Sequence, residues 1–452
     1  MEQNTKLKKE LGLVIATALV TGNMMGSGIF MLPATLAGKA GPGATIGAWM
    51  LTAFGSILLA LCFAKLSRRL PKTGGPYKYS KTAFGEFAGF MNAWLYWNGS
   101  WIGNAAVVIA VASYAGKLVP FIGNSNLGAF LFASAVLWIF TIINILGVKM
   151  AGKIQTAITI FEILLFLFFI IAAAMHFNAG NLVPMFPEGK GMETLPVAAT
   201  LTLWSFVGLE SSSIAAGEIR NPEKNVGRST IIGILIAAIM YMAINFFAMG
   251  AMPQGTLQKS TAPIADILSQ YFGSGMVQFI TLGVVVSVLG TTIGWLLSTA
   301  RVAFAAGEDG MFPSFFSKTH AKYKTPHVAL ILGSVLVNLL LAMNYANNKT
   351  LASAFNFTVL LATLSFLPVY ATTAAAEIKY ALKEGKKLTF LSSVKTFFIP
   401  VAALIYSGWA IYGSGLEAIE YGILLAVIGV PVYAYMAAKN KKRMSSSETI
   451  GA

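Results

Sequence analysis

Apolar runs long enough to cross a lipid bilayer follow one another along almost the whole chain. A spanning helix needs roughly 20 apolar residues. Twelve such segments can be marked, at about 11–34, 43–66, 85–116, 127–147, 152–175, 195–217, 229–252, 275–306, 327–345, 350–376, 396–413 and 418–438. Lipid offers no hydrogen bonds, so each run must satisfy its own backbone as a helix. Only 11% of the 452 residues are charged and 56% are hydrophobic, against about 25% charged in soluble domains. The predicted fold class is therefore an all-α integral membrane protein with twelve transmembrane helices. The third and eighth runs exceed a bilayer and are expected to tilt or to project into water.

Lysine and arginine fix an orientation. With twelve segments, the N-terminus, the C-terminus and every second loop share one face, which carries 27 of the 32 Lys and Arg residues. The opposite face has Lys39, Lys117, Lys190, Lys259 and Lys349. This asymmetry predicts that both termini are cytoplasmic, and it requires an even number of spans. It also assigns the net charge of +15 to topology and not to nucleic acid. The first segment is too long for a signal h-region and lacks a clear cleavage site, so it reads as a membrane helix. Lys439-Asn440-Lys441-Lys442-Arg443 reads as a stop-transfer anchor or an anionic-lipid contact, and Ser445–Ala452 as an unstructured tail. Cys62 is the single cysteine, so no intramolecular disulfide forms. His176, His320 and His327 show no ligand spacing; no metal site and no cofactor are expected.

Two segments carry sequences that interrupt a helix. Segment 1 contains Gly22-Asn23-Met24-Met25-Gly26-Ser27-Gly28, and segment 6 contains Trp204-Ser205-Phe206-Val207-Gly208-Leu209-Glu210-Ser211. Loosened backbone at that depth is tolerated where it lines a cavity, although glycines alone also permit close helix packing. Segments 1–5 and 6–10 read as two five-helix units. An odd number of spans inverts the second unit, so segments 1 and 6 correspond. Paired breaks at matching positions point to a transporter binding site. Glu210 and Glu162 are the acidic residues deep within spans, and such a carboxylate marks a functional site or a structural hydrogen bond. In segment 3, Tyr96, Ser100 and Asn104 fall on one helical face. Trp295 sits in mid-segment 8, where it either packs or offers a flat face to a cation. Backbone N–H groups at the first break suit a carboxylate, and carbonyls at both breaks suit an ammonium group. Together they suit an α-amino acid, or an amine that uses the carbonyls alone.

These motifs, with Pro71-Lys72-Thr73-Gly74-Gly75-Pro76-Tyr77, Asn221-Pro222-Glu223-Lys224-Asn225 and Gly307-Glu308-Asp309-Gly310-Met311-Phe312-Pro313, resemble the amino acid–polyamine–organocation transporters. The likeness is to their basic amino acid/polyamine antiporters, which include arginine/agmatine, cadaverine/lysine and putrescine/ornithine exchangers. The resemblance implies a LeuT-type 5+5 inverted repeat with broken helices 1 and 6. It divides the chain into an N-terminus (1–10), a ten-helix core (11–376, with repeats at about 11–175 and 195–376), two peripheral helices (396–438) and a tail (439–452). It further implies that Asn23, Met24, Ser27, Gly28, Ser100, Asn104, Trp204, Val207 and Trp295 meet the substrate. The Ser27–Gly28 region would hold its carboxylate, and the carbonyls of Met24, Trp204 and Val207 its ammonium. Tyr96, Trp204 and Glu210 would form gates, with Glu162 in gating or coupling. Some positions depart from the arginine exchangers, including Asn98 and Ser100. The gate tyrosine of helix 10 falls near Val369, beside Tyr370, and a pocket serine falls near Leu361. Many members carry lysine, thought to replace a sodium ion, where Glu162 stands.

The expected function is secondary transport of amino acids or their amine derivatives across the bacterial plasma membrane. Exchange of a cationic amino acid is the first reading. A proton-coupled symporter, open to neutral amino acids, and a nutrient receptor without transport are the others. Neither nucleophile–base pairs nor metal clusters support an enzyme. The expected partners are the small substrate and the bilayer, with a homodimer left open.

Overall fold

A computed structural model describes Lys9 and residues 11–187, 189–346, 351–383 and 390–450. Most of the expected N-terminal stretch 1–10 therefore lies outside the described residues, as does the start of segment 10. The chain forms helices α1 (Leu13–Met24), α2 (Ser27–Lys39), α3 (Gly41–Arg69), α4 (Pro76–Phe84), α5 (Glu86–Leu118), α6 (Pro120–Gly123), α7 (Asn126–Leu146), α8 (Val148–Met175) and α9 (Leu195–Trp204). There follow α10 (Ser211–Ile214), α11 (Pro222–Ala251), α12 (Gln254–Leu257), α13 (Pro263–Glu308), α14 (His327–Ala346), α15 (Leu351–Lys383), α16 (Phe390–Gly413) and α17 (Leu416–Ile450).

Eleven helical stretches among the described residues are long and apolar enough to cross a membrane. The first joins α1 and α2. The remaining expected span, 195–217, is also interrupted; α9 and α10, on either side of its break, are each too short to be counted. Proline opens several helices in the first turn, where its missing N–H costs nothing. α13 starts earlier than the hydropathy suggests, and its non-helical Gly273 separates an outer stretch from the apolar run. α17 continues to Ile450 where an unstructured tail was expected. Between Pro431 and Gly451 the sequence holds no glycine or proline to stop it.

Contacts between loops sort the chain into two faces. On the basic face, Leu11 and Arg220 join the N-terminal stretch to the loop after α10, with Leu11 N–H donating to Glu218 O at 2.9 Å and Arg220 N–H to Leu11 O at 2.8 Å. Arg69 meets Glu377 at 2.6 Å, Lys78 meets Asp309 at 2.5 Å, Thr325 donates to Ile145 O, and Asn440 donates to Gly310 O. On the other face, Gly43 N–H donates to Met185 O, Gln254 to Asn181 O, Asn126 to Tyr345 O, and Lys117 pairs with Asp266. These are the two sets of loops that an even span count requires.

Asp309 is the hub that pins α4 to the end of α13. It accepts from Tyr77 Oη at 2.5 Å, Lys78 Nζ at 2.5 Å and Lys81 Nζ at 3.1 Å. Burial alone would raise its carboxyl; hydrogen bonds from Lys78 and Tyr77 and the two lysine charges outweigh that, and hold it below the usual range. A carboxylate with a lowered folded pKa stabilises the fold above its unfolded pKa and loses that contribution as pH falls through the lowered value. Asp309→Asn should therefore cost about 1–2 kcal/mol at pH 7. The deficit should hold as pH drops towards 5 and close only below the ordinary carboxylate range. Equal thermal midpoints for the two proteins at pH 7 in detergent would contradict this role.

Candidate functional site

The first break is a short fault in hydrogen bonding. Met25 N–H still reaches Thr21 O, but Gly26 N–H turns back to Met24 O at 2.7 Å. A continuous helix would have sent the N–H groups of Gly26 and Ser27 to the carbonyls of Gly22 and Asn23. Both carbonyls are instead satisfied by α13. Thr291 Oγ1 donates to Gly22 O at 3.0 Å, and Trp295 Nε1 donates to Asn23 O at 2.8 Å. The first turn of α2 has no side-chain cap, and among the described residues no hydrogen bond is made by its leading N–H groups, as is usual for the first four of a helix.

The second break is a run of tight turns. Ser205, Phe206 and Val207 donate to Thr202, Leu203 and Trp204 carbonyls, three residues back, and Tyr241 Oη donates to Ser205 O at 2.7 Å. The Val207 carbonyl accepts no hydrogen bond among the described residues. Gly208 has φ +116°, which side chains disfavour, and a Cβ there would lie 3.0 Å from Asn23.

The breaks touch one another. Asn23 Nδ2 donates to Ser211 Oγ at 2.7 Å and to Ser298 Oγ at 3.3 Å, while its Oδ1 accepts from Gln155 Nε2 at 2.9 Å. Trp204 Nε1 donates to Ser27 Oγ at 3.3 Å. Gly294 lies so close to Asn23 and Gln155 that no side chain fits. One asparagine thus ties α1, α8, α10 and α13 into a knot.

A cavity lies between the breaks, lined by Asn23, Met24, Gly26, Ser27, Gly28, Val107, Trp204, Val207, Thr291 and Trp295. Only about 10 Å³ of it is open to the centre of a water molecule, room for about one water. The Trp204 and Trp295 rings close it, stacked at 6.1 Å and 17°. From there an aromatic series runs through Phe366, in edge contact with Trp295 and Tyr96, to Tyr370.

Glu210 sits at the end of that series and is fully buried. Tyr96 Oη donates to its Oε1 at 2.7 Å, and Tyr370 Oη to its Oε2 at 2.8 Å. Gly208 N–H adds a third bond at 3.2 Å. Hydrogen bonds to a charged group contribute about 1.5–3 kcal/mol each, which offsets the few kcal/mol of placing a carboxylate in the bilayer. Tyr96 belongs to α5, Glu210 to the second break and Tyr370 to α15, so this cluster closes three elements over one side of the cavity.

The cavity brings together Asn23, Met24, Ser27, Gly28, Trp204, Val207 and Trp295 from the sequence-predicted set. Three of these differ in detail from expectation. The Asn23 side chain is spent on the knot. The carbonyls of Met24 and Trp204 already accept from Gly26 and Val207. Ser100 and Asn104 are buried but do not line the cavity; Ser100 donates to Tyr96 O and Asn104 to Thr299 Oγ1. Glu162 lies apart on α8, buried, with Oε1 unpartnered among the described residues. Leu361 lines a separate pocket near Ser414 and Tyr421. Thr291, Gln155, Phe366 and Val107 were not singled out in the sequence. Tyr370, and not Val369, reaches Glu210. Tyr370→Phe should lower stability by about 1–2 kcal/mol and slow turnover; wild-type thermal midpoint and turnover would remove Tyr370 from the gate.

The sequence family described as amino acid permease matches residues 11–444. A putative arginine/ornithine antiporter of Bacillus subtilis (strain 168) is 32% identical, over 96% of this chain and 98% of its own. An arginine/agmatine antiporter of Chlamydia pneumoniae is 30% identical, over 98% and 93%. An arginine/ornithine antiporter of Pseudomonas aeruginosa is 31% identical, over 96% and 92%. Among solved structures, MHP1, a nucleobase-cation-symport-1 family transporter in a closed conformation with bromovinylhydantoin bound, superposes with a TM-score of 0.60 at 12% identity, covering 97% of this chain and 96% of that one. A manganese transporter of Eremococcus coleocola gives 0.59 at 13% identity, with the same coverage. At such low identity these two likenesses establish the LeuT-type architecture alone.

Proposed function

The chain belongs to the amino acid permease family, and we propose that it exchanges a cationic amino acid for a related amino acid or amine across the bacterial plasma membrane. The observation that carries this is the pairing of unused groups in the cavity. Free N–H groups of the first turn of α2 face one end and suit a carboxylate. The unbonded Val207 carbonyl suits an ammonium group. Trp295 presents a ring beside them, and a ring of this kind attracts a cationic side chain. The three antiporters that match over nearly their full length support the same chemistry.

An amino acid does not fit while Trp204 stacks on Trp295. Entry therefore needs one indole to swing aside and to stay aside while substrate is bound. The Tyr96–Glu210–Tyr370 cluster is the gate on one side of the substrate. The basic face is cytoplasmic, both termini lie there, and the ten-helix core of 11–376 moves against itself while 396–438 stays peripheral. Glu162 favours a second reading, proton-coupled uptake, because a buried carboxylate with a free oxygen can carry a proton through the cycle.

Counterflow in proteoliposomes separates the two. Labelled arginine should accumulate in vesicles preloaded with arginine, ornithine or agmatine and not in empty ones, with or without a pH gradient. Trp295→Ala should raise the apparent KM for arginine by about tenfold or more. Accumulation in empty vesicles under an inward proton gradient, abolished by Glu162→Gln, would replace exchange by symport.

A further inference from the structure

On the basic side of the Asn23 knot, α1, α8 and α13 enclose a second small cavity. Leu11, Ile15 and Leu19 form an apolar wall, and Gln155 and Arg301 supply its polar groups. Arg301 is only 3% exposed. Its Nη2 donates to Glu218, yet its Nη1 is buried and has no partner among the described residues. A buried donor without an acceptor is costly, and a guanidinium bound through one nitrogen still offers a fork suited to a carboxylate. The roof of this cavity is Gln155, whose Nε2 is bonded to Asn23 Oδ1. Asn23 and Gln155 therefore form a partition between this space and the central cavity, which Asn23 also lines.

Glu218 links the cavity to the movement of α1. Its side chain holds Arg301, while its backbone carbonyl holds Leu11 at the foot of α1. Displacing α1 breaks the Leu11 bond and opens the wall opposite Nη1. We propose that Arg301 is a specificity-determining residue on the route between the central cavity and the basic face. It receives the α-carboxylate of a passing amino acid on Nη1, the nitrogen that Glu218 does not engage. Glu218 balances the guanidinium charge, so discrimination comes from the unpaired Nη1 donor: the parent amino acid brings a carboxylate that satisfies it, and a decarboxylated diamine leaves it unpaired. The inference rests on the exchange reading, and it adds a preference for carboxylate-bearing substrates on the basic side.

The test is counterflow with substrate offered at the basic face, comparing kcat/KM for arginine and agmatine, and for ornithine and putrescine. The proteins are the wild type, Arg301→Gln with Glu218→Gln, and the charge swap Arg301→Glu with Glu218→Arg. The neutral pair should cut the arginine-to-agmatine ratio by about tenfold, and the swap should cut it further while its thermal midpoint stays near that of the wild type, because the bridge re-forms. Arg301→Lys, which keeps the charge and loses the planar fork, should give a ratio between those of the wild type and the neutral pair. A folded swap with an unchanged ratio would overturn the proposal, and so would a wild type that prefers the diamines. If the wild type exchanges none of the four compounds, the exchange reading itself fails.

Discussion

Two side-chain donors on α13 make the rest of the site possible. Thr291 and Trp295 take over the carbonyls of Gly22 and Asn23 that the first break strands. Without them a helix could not come apart at that depth in a bilayer, where an unsatisfied carbonyl costs several kcal/mol. The arrangement frees the N–H groups of α2 without leaving orphaned acceptors behind. It also fixes Trp295, because an indole anchored by its N–H presents its face to Trp204 at a set angle.

The Asn23 knot then divides the interior. On one side lies the cavity between the breaks, closed by the stacked tryptophans and, beyond Phe366, by the Glu210 cluster. On the other lies the space lined by Gln155 and Arg301. Each boundary is built from a few hydrogen bonds between elements that a LeuT-type fold moves against one another. Such contacts are weak enough to break in turn and numerous enough to hold each closed state. The polar side chains at these boundaries largely pair with one another; among the described residues the Val207 carbonyl, Ser205 Oγ and Arg301 Nη1 are left over.

Much of this was legible in the sequence because the bilayer imposes strict rules. Apolar length gave the spans, and loop charge gave two faces that the Leu11–Arg220 and Arg69–Glu377 contacts reproduce. The breaks announced themselves through glycine, asparagine and glutamate in otherwise apolar runs. Thr291, Gln155 and Ser298 sent no such signal, since a threonine, glutamine or serine in a membrane helix ordinarily bonds its own backbone. Their importance comes from facing Asn23, which is a property of packing. The resemblance puts the gate tyrosine near Val369, beside Tyr370; one residue along a helix turns a side chain by about 100°, and it is Tyr370 that reaches Glu210. The resemblance places Asn23 among the substrate ligands; in three dimensions its amide is consumed in holding four helices together.

If the space between the two breaks is a single substrate site opened to one face at a time, it should be reachable from both sides of the membrane and shielded by substrate. A lone cysteine at Val107, a cavity-lining position with no part in the hydrogen-bonded knot, tests it directly in a Cys62→Ala background. A membrane-impermeant thiol reagent should modify it from either side of the membrane, slowly, and saturating arginine should protect it from both. Rapid modification from one side only, indifferent to arginine, would contradict the account.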